Sequence, residues 1–208
     1  INDAIVALIE GDAKLAQQVR EKDDAINQME LDIDQECLRI LARRQPAASD
    51  LRLVVSISKI IVDLERIGDE ASKIAKRARD LAEDGQAPRG YVECRHIGHH
   101  VRRMVQEALD AFARMDTEQA FSVAREDKAV DQEYKTAMRE MVTFMMEDPR
   151  SIGRVLNILW VLRSLERVGD HARNVAEHVI YLVNGTDVRH IGLKRMEAEV
   201  KKEGNADE

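Results

Sequence analysis

The chain has 208 residues, of which 34% are charged and 3% are aromatic, and its formal net charge is −7. An acidic chain with few aromatic side chains lacks the basic face and the stacking platforms that nucleic-acid binding needs, so no direct nucleic-acid partner is expected. The longest apolar run, VLNILWVL at 155–162, is far shorter than the ~20 residues that span a bilayer. With no visible signal peptide, we expect a cytoplasmic protein that reaches membranes only through partners.

The first half of the chain reads as three helices. Gly11 ends a short helix, and Asp12 is a plausible N-cap for the next one. Apolar residues spaced by four and seven then continue over 15–40, and Pro46 ends this second helix. A third, longer pattern runs over 51–81. The scarcity of glycine and proline within these stretches favours an all-α fold.

The second half repeats this plan after a break at EDGQAPRG. The pattern predicts helices over about 91–115, 117–146 and 151–183, with a turn at Pro149. Its first helix is longer than the first helix of the other half, which predicts that a stretch N-terminal to Ile1 has been lost and that the first helix is incomplete. We therefore predict six helices in a tandem pair of three-helix bundles, over 1–84 and 91–185, with a polar, loosely ordered tail over 186–208.

A hexapeptide occurs once in each half, as LERIGD at 64–69 and LERVGD at 165–170. On a helical wheel its two carboxylates, Glu65 and Asp69 in the first copy, lie one turn apart beside the apolar stripe. Gly68 lies on the apolar side, where the missing Cβ lets a neighbouring helix approach. The second copy, with Glu166 and Asp170, has the same arrangement.

Antiparallel packing about each turn would bring further oxygen atoms to these carboxylates. Residues equidistant from a turn lie level, because every helix rises by about 1.5 Å per residue. Four pairs of residues therefore lie side by side on the paired helices: Asn27 with Glu65, Asp23 with Asp69, Asp131 with Glu166, and Asp127 with Asp170. Oxygen-only ligands suit hard cations such as Mg²⁺, Ca²⁺, Mn²⁺ and Fe³⁺. The alternative is a solvated acidic face that Arg66 and Arg167 bridge.

The segments QPAASDLRLVVSISKIIVDLERIGDEA at 45–71 and SLERVGDHARNVAEHV at 164–179 resemble the two signature segments of the PhoU family. REDKAVDQEY, MMEDPRSI and ALDAFARMD resemble that family too, in the same order along the chain. The resemblance implies two three-helix bundles and divalent or trivalent metal ions in multinuclear clusters, with Mg, Mn, Fe or Zn as the element. It gives metal roles to Asp23, Glu65, Asp69, Asp127, Asp131, Glu166 and Asp170. Asn27 stands where the family often has Asp, which predicts a weaker first site.

The resemblance also implies a function. PhoU proteins repress the phosphate-starvation regulon and restrain phosphate uptake, as adaptors between the Pst transporter ATPase subunit PstB and the sensor kinase PhoR. A homodimer and no enzymatic activity are therefore expected. Two alternatives stay open: a carboxylate-bridged metalloenzyme, which would need a water-excluding pocket, and a metal store.

A histidine-rich stretch, RHIGHH at 95–100, lies near the start of the fourth predicted helix. His96 and His100 have the i, i+4 spacing that can hold a metal ion. Because the stretch follows a loop, a solvated helix start is the favoured interpretation.

Overall fold

The computed structural model of the chain describes residues 1–83 and 91–204, which form eight α-helices, one short 3₁₀ helix and no strand. The predicted break between the halves at 84–90 lies outside the described residues. The α-helices are α1 (Asn2–Glu10), α2 (Ala13–Glu21), α3 (Asp23–Arg44), α4 (Ala48–Glu83), α5 (Tyr91–Arg114), α6 (Thr117–Glu147), α7 (Ile152–Asn184) and α8 (Leu193–Gly204).

The start of the chain follows the predicted signals up to the second helix and then departs from them. Gly11 takes the left-handed conformation with φ 66°, and the Asp12 carboxylate accepts hydrogen bonds from the first backbone N–H groups of α2. The single helix predicted from there to Pro46 is wrong, because the chain bends at Lys22, between α2 and α3. No glycine or proline marks this bend. It allows α2 to pack on α1 and α4 while α3 packs on α4.

The two turns predicted at proline residues are confirmed. Pro46 lies between α3 and α4, and the Ser58 hydroxyl donates a hydrogen bond to Asp34 at 3.0 Å. These two residues each lie twelve positions from Pro46, so the helices are antiparallel about that residue. In the second half, Pro149 begins the 3₁₀ turn between α6 and α7.

The glycine of each hexapeptide faces the partner helix of its hairpin. A Cβ placed on Gly68 would lie 3.1 Å from Ile26 Cδ1 on α3, and a Cβ placed on Gly169 would lie 3.4 Å from Val130 Cγ1 on α6. The predicted close approach is confirmed at Gly68, whereas a Cβ on Gly169 would make only ordinary contacts. This packing places the carboxylate-bearing faces of the paired helices side by side.

The two halves join through α4 and α7, which run antiparallel and bury polar groups between them. Glu70, only 2% exposed, pairs with Arg167 at 2.9 Å. Asp63 accepts hydrogen bonds from His171 Nδ1 at 2.9 Å and from Asn174 at 3.0 Å. Buried polar groups without partners are costly, so these pairs select one register of α4 against α7.

The C-terminal segment differs from the loosely ordered tail that its polar composition predicts. Helix α8 packs against α6 and α7, and the Asn184 side chain donates a hydrogen bond to the Glu199 carbonyl. Val188, Met196 and Val200 are buried, which supplies the apolar contact that holds the segment. In the part of the chain that the structure describes, no helix is both long and apolar enough to cross a bilayer.

We expect Gly98→Ala to destabilise the fold although alanine favours helices. The added Cβ would lie 2.6 Å from Ile5 Cδ1, so α1 or its side chain must move, whereas a Cβ on Gly169 would make ordinary contacts. Overpacking costs about 1–3 kcal/mol and a Gly→Ala change in a helix gains about 1 kcal/mol. In urea unfolding, Gly98→Ala should be about 1–3 kcal/mol less stable than Gly169→Ala. Adding Ile5→Val, which removes Cδ1, should recover part of this difference, and no recovery would contradict the explanation.

Candidate metal centres

The first acidic cluster lies between α3 and α4. The pairing of residues equidistant from a turn, here called the level rule, predicts this position. Burial raises the pKa of Asp23 most, followed by the Asp69 charge, while a hydrogen bond from Ser72 lowers it. Burial also raises the pKa of Glu65, again with Asp69 as the second cause. These couplings place Asp23, Glu65 and Asp69 in one electrostatic cluster.

Two side chains of this cluster complete its acceptor set. Asn27, one turn after Asp23 on α3, has a buried Oδ1 that finds no hydrogen-bond partner among the described residues. Glu30, whose charge also raises the pKa of Glu65, was not predicted from the sequence as a member of this cluster. Its position seven residues after Asp23 on α3 could have identified it. The cluster therefore contains more oxygen acceptors than the sequence predicted.

The second acidic cluster lies between α6 and α7 and is more deeply buried than the first. Asp127 is 5% and Glu166 is 8% exposed, whereas the sequence predicts both at the border of the core. Burial is the main cause of the raised pKa of Asp127, Glu166 and Asp170. Asp131 belongs to the same cluster, because its charge raises the pKa of the other three. All four predicted residues are thus brought together.

Two arginines act as counter-ions in this second cluster, and neither was predicted. Arg173 donates from Nη1 to Asp127 at 3.0 Å and from Nε to the buried Glu177 at 2.9 Å. Arg163 pairs with Oε1 of Glu166. Arg167, the arginine of the hexapeptide, instead pairs with Glu70 across α4. A solvated face bridged by Arg167 therefore does not describe this cluster.

The donor set of both clusters fits a hard cation. Besides the Asn27 amide oxygen, Oε2 of Glu166 is buried with no hydrogen-bond partner among the described residues. Unpaired buried acceptors beside ionised carboxylates are costly, and a cation would satisfy both. As the side chains stand, no group of three or more His, Cys, Asp or Glu in residues 1–83 and 91–204 is arranged to hold an ion. Binding would therefore require these side chains to close around the ion.

Comparisons with known proteins agree with this architecture. The PhoU domain family matches residues 1–78 and 94–179. The phosphate-specific transport system accessory protein PhoU homolog of Pseudomonas aeruginosa is 73% identical over 201 residues, which are 97% of this chain and 83% of that protein. The Escherichia coli accessory protein PhoU is 48% identical over 192 residues, which are 92% of this chain and 79% of that protein.

Two solved structures have the same fold. The crystal structure of PhoU from Pseudomonas aeruginosa superposes with a TM-score of 0.87 at 73% identity, and the match covers 89% of this chain and 88% of that chain. The crystal structure of the phosphate transport system regulatory protein PhoU from Streptococcus pneumoniae superposes with a TM-score of 0.82 at 34% identity, and the match covers 90% and 87%. The predicted all-α fold with two tandem units is confirmed, while the exact domain boundaries stay a prediction.

The raised pKa values predict how stability depends on pH. A carboxyl whose pKa is raised by folding destabilises the folded chain once it ionises, so the penalty develops above the unfolded value near pH 4 and is relieved as pH falls through the folded pKa. Without metal, the Glu166→Gln, Asp170→Asn variant should gain stability over the unaltered chain at pH 7, and the gain should shrink toward pH 4. Urea unfolding in the presence of a chelator measures the stability of the variant and of the unaltered chain at each pH. A gain that does not change with pH would contradict these pKa shifts.

Replacing Arg173 by Ser should destabilise the chain and favour cation binding. Ser72 occupies the corresponding position of the first repeat, so the change copies a residue that this fold already accommodates. Asp127 and Glu177, each 5% exposed, would lose their shared counter-ion. Breaking a buried ion pair costs about 3–5 kcal/mol, and the partly exposed Arg173 should give about 2–3 kcal/mol. Ser72→Ala is the control and should cost less than about 1 kcal/mol. Equal losses of stability in the two variants would contradict this role. A failure of added Mn²⁺ to restore stability to the Arg173→Ser variant would contradict it too.

Proposed function

The chain belongs to the PhoU family, and on that premise we propose that it is a negative regulator of the phosphate-starvation regulon and of phosphate uptake. We propose that it acts in the cytoplasm as a metal-binding adaptor between the transporter ATPase subunit PstB and the sensor kinase PhoR. The names of its relatives support a role beside a phosphate transporter, as accessory or regulatory proteins.

The observation that carries the metal-binding part is the unpaired oxygen in each acidic cluster. Asn27 Oδ1 and Glu166 Oε2 are both buried beside carboxylates that are disfavoured as anions. A hard cation such as Mg²⁺, Mn²⁺ or an iron ion would replace the missing hydrogen bonds and offset the repulsion. Zn²⁺ is a further candidate, and several carboxylates per cluster would suit a multinuclear centre.

An adaptor fits these clusters better than a metalloenzyme does. An enzyme needs metal positions inside a site that excludes water. The Asp69 and Asp131 side chains are 44% and 43% exposed, so each cluster opens at the protein surface. A metal ion there can hold the two helices of a hairpin together and present a charged surface to a protein partner.

Exposed apolar side chains support docking on other proteins. Met146 is 79% and Trp160 is 58% exposed, and Ile152 and Leu156 lie beside them in sequence on the same end of α6 and α7. Exposed apolar area of this kind is typical of protein–protein contacts. It is available for the proposed transporter and kinase contacts and for the proposed homodimer.

Neutralising the second cluster tests the link between metal and regulation. The variant Asp127→Asn, Asp131→Asn, Glu166→Gln, Asp170→Asn should lose metal at that cluster yet keep its helices, because apolar burial supplies the folding energy. Bound metal is measured by mass spectrometry and helicity by circular dichroism. We expect weaker recovery of PstB and PhoR from membranes and raised expression of a phosphate-regulon reporter in phosphate-rich medium.

Asn27→Asp is the matched control, since it adds the carboxylate that the first cluster lacks. It should strengthen metal binding there and leave repression intact. Normal repression with metal lost from the quadruple variant would contradict the link between metal and regulation. Phosphatase or ferroxidase turnover by the metal-loaded protein would favour the enzyme alternative instead.

A further inference from the structure

Two histidines of α5 converge on one glutamate of α6, Glu133, which follows Asp131 of the second acidic cluster by two residues and lies about 200° from it around the helix. His100 Nδ1 lies 3.1 Å from Glu133 Oε1, and His96 Nε2 lies 3.4 Å from the same oxygen. His96 and His100 are one helical turn apart, so their rings stack along one face of α5. The solvated helix start favoured by the sequence is therefore wrong for His100, whose side chain is only 12% exposed.

A second glutamate fixes the orientation of the His100 ring. His100 Nε2 lies 3.1 Å from Glu126 Oε2, and Arg103 also pairs with that carboxylate at 3.0 Å. When Nε2–H donates to Glu126, Nδ1 becomes a lone-pair nitrogen available to a cation once the proton that it shares with Glu133 has left. Metal-binding histidines usually have this arrangement, in which the second ring nitrogen donates to a carboxylate.

We propose that His96 Nε2, His100 Nδ1 and a Glu133 carboxylate oxygen form a binding site for a first-row transition cation of the Zn²⁺ type. Two imidazoles and one carboxylate, with water as fourth ligand, form a common zinc ligand set. Imidazole nitrogen also separates this site from the oxygen-only clusters, which suit harder ions. The site does not depend on the proposed regulatory function.

Two of the three separations between the donor atoms are close to those of ligands around one ion, although the three side chains as they stand are not yet arranged to hold it. Zinc–ligand bonds of 2.0–2.1 Å in a tetrahedron separate the ligand atoms by about 3.3–3.4 Å. The two measured separations from Glu133 Oε1 are 3.1 and 3.4 Å. At present His100 contacts Glu133 through a hydrogen bond and His96 contacts it through a 3.4 Å ion-pair contact, rather than around a common point. An entering cation would replace the two contacts to Glu133, and any proton between the groups would leave to solvent.

The surroundings give an ion access to this position. A groove of about 500 Å³ between α5 and α6 is lined by His96, Glu133 and the apolar Ile97 and Ala137. The His96 side chain is 70% exposed, so it can turn toward an ion without disturbing the core. The groove leaves room for a water ligand.

The competing explanation is a purely structural network, in which a protonated His100 is clamped between Glu126 and Glu133. Histidine NMR separates the two, because the chain has only six histidines and His99 is an exposed internal control. We would titrate the full chain, labelled with ¹⁵N-histidine, with Zn²⁺. To remove the oxygen-only sites, the chain would carry Asp127→Asn, Asp131→Asn, Glu166→Gln, Asp170→Asn and also Glu65→Gln, Asp69→Asn.

We expect Zn²⁺ to shift the ring nitrogens of His96 and His100 together, with one ion bound, and to leave His99 unshifted. His96→Ala removes an exposed ligand and should weaken binding at least about 10–100-fold, the loss that even an outer-shell partner causes. Glu133→Gln should also weaken it, and His99→Ala should not. Circular dichroism verifies that each variant folds. Equal shifts at all three histidines, no shift, or equal affinity of the His96→Ala and His99→Ala variants would overturn the proposal.

Discussion

The antiparallel contact between α4 and α7 determines the orientation of every functional side chain on these helices. Asp63 and Glu70 lie on one face of α4, about 20° apart on a helical wheel, and both are buried against α7. Glu65 and Asp69 are then about 200–240° away from Asp63, on the side that meets α3. Rotation of α4 would break the Glu70–Arg167 pair and leave the buried Glu70 carboxylate with only Lys73 of its own helix as counter-ion. The same contact therefore joins the two halves and holds the first acidic cluster toward its partner helix.

The two repeats share a backbone plan but balance their acidic charge differently. The second cluster is more deeply buried than the first and includes an internal cation, Arg173, where the first repeat has Ser72. At the position level with Glu65 the first cluster has the amide of Asn27, where the second cluster has the carboxylate of Asp131 level with Glu166. An amide lowers the negative charge of one cluster, whereas a guanidinium partly neutralises the other. Both solutions reduce repulsion without metal, and both leave an unpaired oxygen for a cation to bind.

The sequence predicted correctly the structural features that depend on a single pair of helices. It failed for features that depend on packing against a third helix. The two turns follow from the proline residues at positions 46 and 149, and the levels of the carboxylates follow from helical rise. The bend at Lys22 has no breaker residue, because it arises from packing on α4. Likewise, the order of the C-terminal segment depends on few apolar residues, among them Met196, and on a surface of α6 and α7 that composition does not reveal. Arg173 could not be assigned either, since a helical arginine on a polar face has many possible partners.

The level rule reaches further than the two hairpins that carry the hexapeptide. Helices α5 and α6 are also antiparallel, and the chain turns between them at Met115, which has a positive φ of 55°. His96 lies 19 residues before Met115 and Glu133 lies 18 after it, so the two are level by the same argument that pairs Asp23 with Asp69. A histidine pair at i, i+4 is ambiguous on its own helix. It becomes a specific ligand set only when the antiparallel helix places a carboxylate beside it. The position of the turn, predicted from the sequence, is enough to identify that carboxylate.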